Sequence, residues 1–178
     1  MLPPRRPELL IRRASADDIP LIMSLAEVAF PATYREILSP GQLAYMMEWM
    51  YSEPALQRQM GQDGHIFFIP EFEGHPCGYV SVQPHGLQDD QTYLFELQKL
   101  YVLPDFQGLH IGERLYRHIA SFVRRSAGDW PCRLELHVNR YNKAVSFYEH
   151  LGLEILREGD FPIGHGYFMN DYIMGARL

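Results

Sequence analysis

Residues 100–115, Leu-Tyr-Val-Leu-Pro-Asp-Phe-Gln-Gly-Leu-His-Ile-Gly-Glu-Arg-Leu, constrain this chain more than any other stretch. The aliphatic and aromatic run over 95–102 reads as a strand, and Pro104, which has no N–H to give a sheet ladder, ends it. Ile111, Leu115, Ile119, Phe122 and Val123 then recur at helical spacing, with Arg114, Arg117, Arg124 and Arg125 between them. Gly108 and Gly112 sit in the connection. Glycine has no Cβ and lets main-chain amides approach a ligand where a helix begins, the place at which unpaired N–H groups and the helix dipole favour phosphate. The loop has neither the Lys-Ser/Thr of a nucleoside-triphosphate loop nor the three glycines of a dinucleotide fingerprint. Taken alone, two such glycines are more often plain turn chemistry.

The rest of the chain supplies one α/β domain around that unit. Leu9–Arg13 is a short first strand behind a Pro/Arg-rich leader, so the expected division is a flexible leader over 1–8 and a single domain over 9–178. Ser15 caps a helix with Asp18 three residues on, and Ile22, Leu25, Ala26 and Ala29 form its buried stripe. Ser39-Pro40-Gly41-Gln42 opens a second helix carrying Leu43, Met46, Met47 and Met50, with Tyr45 and Trp49 beside them. That cluster is either core or the wall of a substrate pocket. Ser52 begins one more short helix, through about Met60. Strands follow at 65–69 and 78–83, then a polar loop over 84–91 and the strand at 95–102. After the long helix, 133–138 alternates as a half-exposed strand, and Asn142 caps a helix striped with Ala144, Phe147, Tyr148 and Leu151 and stopped by Gly152. Strands at 153–158 and 166–174, with a loop over 159–165, close the chain as a hairpin. The order is βααβββαβαββ, a mixed central sheet flanked by helices.

Composition excludes several classes. A chain of 178 residues, 47% hydrophobic and 21% charged, builds a core without staples. Cys77 and Cys132 stand alone with no metal spacing, and the eight histidines show none either, nor does any stand out as a base. No run approaches about 18 apolar residues, and no signal peptide precedes the first strand, so no membrane role and a cytoplasmic location are expected. A net charge of −6 argues against nucleic acid and favours cationic partners.

Some thirty residues beyond the glycine loop stands Asn139-Arg-Tyr-Asn142-Lys-Ala144-Val-Ser-Phe147-Tyr148-Glu-His-Leu151-Gly152-Leu153. The two stretches, in this order, resemble the GCN5-related N-acetyltransferase (GNAT) superfamily. Gln107 to Gly112 (Gln107, Gly108, Leu109, His110, Ile111, Gly112) matches its Gln/Arg-x-x-Gly-x-Gly/Ala acetyl-CoA loop, with His110 where the inner glycine usually sits. The βααβββαβαββ order is also that family's. Leu-Tyr-Val-Leu-Pro, Val-Asn-Arg-Tyr-Asn-Lys-Ala-Val and the ending Tyr-Phe-Met-Asn-Asp-Tyr-Ile-Met look like the branch with bacterial polyamine acetyltransferases.

The resemblance implies acetyl-CoA as co-substrate, no metal, and a small-molecule amine acceptor, in a monomer or homodimer. The 107–112 loop would hold the pyrophosphate, and the exposed main chain of Leu100, Tyr101 and Val102 would pair with the pantetheine arm as a pseudo-strand. Asn142, a helix cap by its position, would also meet the pantetheine. Tyr148, by the same pattern, would place its hydroxyl near the cofactor sulfur, as acid or as hydrogen-bond donor to the departing thiolate. Glu96 stands eleven positions before Gln107, the offset of the general-base glutamate in the histone-acetylating branch; a strand glutamate is otherwise a solvent-facing residue. The rival reading is a non-catalytic acyl-CoA-binding sensor of the same fold.

Overall fold

The computed structural model describes residues 7–178. The leader expected over 1–8 falls outside the described residues as far as residue 6, and Glu8 is already tied down, its carbonyl accepting from the Glu73 N–H at 2.9 Å. The elements are β1 (Leu9–Arg13), α1 (Ile19–Tyr34), α2 (Pro40–Tyr51), α3 (Glu53–Met60), β2 (Ile66–Phe72), β3 (His75–Pro76), β4 (Gly78–Leu87), β5 (Tyr93–Val102), α4 (Ile111–Ala127), β6 (Cys132–Asn139), α5 (Ala144–His150), β7 (Glu154–Gly164) and β8 (Tyr167–Arg177). This is the expected order, with the short helix α3 and the two-residue β3 standing as elements of their own. One mixed sheet runs β1-β2-β4-β5-β6-β8-β7, antiparallel throughout except between β5 and β6.

The sheet separates two cores. Helices α4 and α5 cover one face, where Ile111, Leu115, Ile119 and Val123 meet Val80, Val82, Leu134 and Leu136. Helices α1 to α3 cover the other, where Ile22, Ala26, Phe30 and Leu56 meet Phe67, Ile69 and Tyr79. The start signals act as read: Ser39 Oγ accepts from the Gln42 N–H at 3.2 Å, Ser52 Oγ from the Ala55 N–H at 3.4 Å, and Asp18 from the Ser15 N–H at 2.8 Å. Asp18 also takes a two-pronged contact from Arg12 at 2.8 and 3.0 Å, and Arg12 reaches Glu71 at 2.8 Å, so β1, β2 and the start of α1 are joined through one guanidinium.

Two expected loops are strand. β4 continues through 84–87, beyond the end of its pairing with β2 at Val82, so Pro84 lies where one edge of the strand needs no N–H. The hairpin likewise extends through 159–164 and turns on His165-Gly166, both at positive φ (52° and 76°), as a tight two-residue turn requires. Pro162 is tolerated because β7 is the sheet's edge. The hairpin tip docks on α2: Tyr45 OH donates to the Ile163 carbonyl at 2.6 Å and Gln42 Nε2 to the Phe168 carbonyl at 2.7 Å.

β5 carries the decisive irregularity. Leu97 pairs with Val82 but Lys99 pairs with the adjacent Ser81, so Gln98 is an extra residue, a β-bulge. The bulge inverts the alternation. Phe95 and Leu97 face the α4/α5 core, and so do Leu100 and Val102, while Lys99 and Tyr101 face α1 to α3. At the same point β5 and β6 part: their parallel pairing ends at Leu97↔Leu136, while β5 stays with β4 as far as Val102 and β6 stays with β8 as far as Asn139.

Gly78 anchors the outer side of this stretch, since a Cβ there would lie 2.2 Å from the Tyr101 carbonyl oxygen. Gly78→Ala should therefore destabilise the domain by about 3 kcal/mol, as overpacking does, and lower Tm by roughly 6–12 °C. A thermal melt within a degree of wild type would show that the two strands separate freely here.

Candidate active site

The parting of β5 and β6 opens a cleft of about 1300 Å³, bounded by the end of α1 on one side and the starts of α4 and α5 on the other. Most residues singled out in the sequence meet in it. Leu100, Tyr101 and Val102 line it from β5, where their inner edge has no strand partner. Gln107, Gly108, His110, Ile111 and Gly112 line it from the loop, and Asn142 and Tyr148 from the α5 side. Leu109 does not; its side chain is 45% exposed and turned away. Glu96 does not line the cleft either, but touches a residue that does.

The loop is built to present amides. Gly108 and His110 both take left-handed backbone (φ 81° and 59°), which turns the chain sharply into α4. His110 does so without glycine's freedom, which is the physical content of the departure noted at this position. The first N–H that returns a bond is that of Arg114, to the His110 carbonyl at 3.2 Å, so the amides of the first turn are left without helical partners. Gly112 lies against Phe147 and Leu100: a Cβ would stand 3.4 and 3.9 Å from their side chains. Gln107 donates to the Val102 carbonyl at 3.2 Å and closes the end of β5. Arg117 is held by Glu113 at 2.7 Å, along its own helix.

Asn142 does what a cap does, its Oδ1 accepting from the Ala144 N–H at 2.9 Å, while its amide nitrogen reaches the Tyr34 hydroxyl at 3.5 Å. Tyr34, the last residue of α1, escaped the sequence reading because nothing in its helical spacing marks it as a cleft residue. Tyr148 is buried, and that burial, with Tyr34 and Tyr116 nearby, pushes its phenol well above the ordinary value.

On the opposite face of the sheet a polar cluster stands at the apex of the cleft. Glu96 meets His85 Nε2 at 2.8 Å and lies 3.8 Å from His137 Nε2, while His137 Nδ1 lies 3.6 Å from Asp171. His137 lines the cleft. Its basicity is raised, chiefly by Asp171, against the cost of burial and with help from Glu96. No histidine stood out in the sequence, yet the strict alternation of 133–138 had put His137 on the face of Arg133 and Glu135; what was hidden was that this face meets Glu96 and Asp171. Asp90 faces elsewhere, bound to Arg133 at 2.7 Å. Lys99 is buried between the rings of Tyr51 and Phe67, its ammonium donating to Gln59 Oε1 at 2.8 Å, and burial lowers it to about 8. Among the described residues no group of three or more His, Cys, Asp or Glu side chains is placed to hold a metal. Of the methionine and aromatic cluster of α2, Met46 is buried in the core, Tyr45 meets the hairpin and Trp49 is exposed beside Tyr45; no α2 residue lines the cleft.

Both the sequence and the fold of this chain are matched by known proteins. Residues 63–155 match the acetyltransferase (GNAT) domain, more than half of the chain. This protein belongs to the GNAT acetyltransferase family. Among its relatives is the uncharacterized N-acetyltransferase YjgM of Escherichia coli, 31% identical over 109 residues, 61% of each chain. The match spans less than half of two further curated relatives. The GNAT fold here is similar to that of the PaiA N-acetyltransferase of Thermoplasma acidophilum in complex with coenzyme A, with a TM-score of 0.74 at 20% identity, covering 96% of this chain and 99% of that one. It is also similar to Arabidopsis thaliana Naa50 in complex with the bisubstrate analogue CoA-Ac-MVNAL (TM-score 0.67, 15% identity, 96% and 99% covered).

Two histidines of this GNAT domain should titrate on opposite sides of the ordinary value of 6.5. His137 should hold its proton above that pH, whereas desolvation lowers His65 to about 4. The stability that His137 contributes is full below 6.5 and lost as pH rises through its raised value; that of His65 is present above 6.5 and lost as pH falls toward 4. Histidine NMR titration checks both, and coincident midpoints would contradict the placement of His137 between carboxylates.

Proposed function

We propose that this GNAT domain is an acetyl-CoA-dependent N-acetyltransferase acting on the primary amine of a small, cationic, polyamine-like molecule. The observation that carries the reading is the juxtaposition at one apex: an unpaired strand edge and free amides on one side, a carboxylate–imidazole cluster on the other. The site fits the co-substrate. The unpaired edge of Leu100 to Val102 suits the amide-bearing pantetheine arm, and the amides of 108–112 suit the pyrophosphate. Acetyl-CoA, when bound there, supplies the acetyl group as an activated thioester.

Direct attack with both substrates held is the route the residues favour. Cys77 and Cys132 are buried in the α4/α5 core with thiols pushed up by burial, so neither offers a thiolate to carry the acetyl group. The same free, buried thiols suit the reducing cytoplasm, where we place the protein. An alkylammonium with a pKa near 10.4 is almost wholly protonated at pH 7, so a base must take its proton. His137, which lines the cleft at its apex with Glu96 beside it, is the proton acceptor we assign. On the thiolate side Tyr148, raised by burial, is a reluctant acid toward a thiolate whose acid has a pKa of about 8.5. It acts as a fixed hydrogen-bond donor to developing charge. Glu96 and Asp171 together make the acceptor face negative, which favours a cationic amine.

The test is release of free thiol from acetyl-CoA across polyamines, amino acids, aminoglycosides and peptide N-termini. Turnover is expected first with polyamines. Thermal protection by acetyl-CoA without any thiol release would replace the enzyme by an acyl-CoA-binding module, and preference for an anionic acceptor would remove the polyamine reading.

Gly112→Asp should abolish acetyl-CoA binding by calorimetry, because it brings negative charge to the amide cradle, whereas His110→Gly, which relieves a left-handed non-glycine residue, should bind as well as wild type or better. Unchanged affinity in Gly112→Asp would sink the cradle. Tyr148→Phe should lower kcat by at least about tenfold with acetyl-CoA affinity kept, since it removes a hydroxyl and leaves the ring. If pre-steady-state traces show unaltered chemistry, the hydroxyl is structural.

A further inference from the structure

Asp171 is the one buried carboxylate among the described residues: it is 5% exposed, and its Oδ1 meets no hydrogen-bond partner. Such a group needs an explanation, because a carboxylate withdrawn from water loses solvation that nothing here fully replaces. It sits on β8 directly opposite Asn139 of β6, at the last rung before the cleft, with Oδ2 3.6 Å from His137 Nδ1.

We propose that Asp171 is a positioning residue that fixes the tautomer of His137, so that His137 Nε2 is the atom that takes the acceptor's proton. An ionised carboxylate only accepts, and of the two that flank the imidazole Asp171 is the nearer and the more deeply buried, so in the neutral ring it is Nδ1 that carries the hydrogen. With Nδ1–H turned to Asp171, Nε2 bears the lone pair. Across from it, at 3.8 Å, is Glu96 Oε1, another acceptor. Two proton acceptors facing each other leave a slot that only a donor fills, and an ammonium N–H, directly or through one water, is such a donor. In the step itself an N–H bond of the ammonium breaks, the Nε2–H bond forms, and the nitrogen lone pair is freed for attack. The resulting imidazolium lies between two carboxylates, where its charge is stabilised.

The other elements around His137 are consistent with this. Phe161 of β7 packs edge-on against the imidazole, with ring centroids 5.1 Å apart. Arg157 of β7 opposes the charge of His137, and it is drawn toward Glu135 at 3.5 Å. His85 of β4 holds Glu96 from the far side at 2.8 Å, and Tyr34 of α1 stands near Asp171. The sequence shows none of this, because Asp171 and His137 are 34 positions apart (171 − 137) and meet only through the β6–β8 register.

This inference rests on the acetyltransfer reading, and its test separates the two. The side-chain nitrogens of His137 are followed by NMR in the wild-type protein and in Asp171→Asn. The wild type should show the Nδ1–H tautomer in its neutral form. Asp171→Asn should lose that preference and bind its proton about tenfold more weakly. With spermidine as acceptor, kcat should fall at least about tenfold at unchanged acetyl-CoA KM, and the acidic limb of kcat/KM should move to lower pH, because the base has become weaker. His137→Gln should move that limb the opposite way, toward the amine's own pKa, since only free amine then reacts. A wild-type Nε2–H tautomer, or a His137 titration unaltered in Asp171→Asn, overturns the proposal even if the variant folds poorly. Wild-type protein that shows the predicted tautomer but releases no CoA with any amine overturns the acetyltransfer reading instead and leaves the Asp171–His137 coupling standing.

Discussion

The separation of β5 from β6 after Leu97 and Leu136 is the constraint on which the rest of the molecule depends. Two parallel strands in mid-sheet would ordinarily go on pairing, and every main-chain group left unpaired and buried costs about 1–3 kcal/mol. The structure holds them apart from outside. β5 is kept on β4 by the close approach of Gly78 to Tyr101 and by the Leu103 N–H, which donates to the Cys77 carbonyl at 2.8 Å. β6 is kept on β8 as far as Asn139 and Asp171. What remains between them is a strand edge available to a ligand's own amides.

The bulge at Gln98 gives this edge two differently furnished faces. Without the extra residue, Lys99 and Tyr101 would point into the α4/α5 core and Leu100 into the tyrosine-rich one. With it, Leu100 packs near Gly112 and Phe147 beneath the amide cradle, and Tyr101 joins Tyr34 and Tyr79 beneath α1. Glu96, before the bulge, and Lys99, after it, thereby share a face despite being three residues apart on a strand. That the buried ammonium under α3 lies on the face of Glu96 is thus a consequence of one inserted residue.

The sequence revealed whatever depended on local chemistry. Helix starts at Ser15, Ser39 and Ser52 and the stop at Gly152 were legible because a cap is a contact between near neighbours. The convergence of Gly108, Gly112 and Asn142 on one cleft was legible because they stand in two compact motifs. Breakers misled it where context neutralised them: Pro84 and Pro162 fall on strand edges that need no donor, and Gly159 and Gly164 lie within the long edge strand β7. His137 and Tyr34 were illegible for a different reason. Their partners come from other elements, and only sheet register and helix packing bring those partners near.

The hairpin's docking on α2 has an implication for how such a domain diversifies. The family match spans residues 63–155 and so takes in β2 through α5, leaving α1 to α3 and nearly all of the β7–β8 hairpin outside it. These outlying parts are fitted to each other. Tyr45 occupies the space a Cβ on Gly164 would need, and Tyr167 the space of one on Gly41, at 2.6 and 2.7 Å. A side chain at either glycine would have to displace the tyrosine hydroxyl opposite it. Diversification on this side of the sheet therefore favours matched substitutions across the α2–hairpin seam.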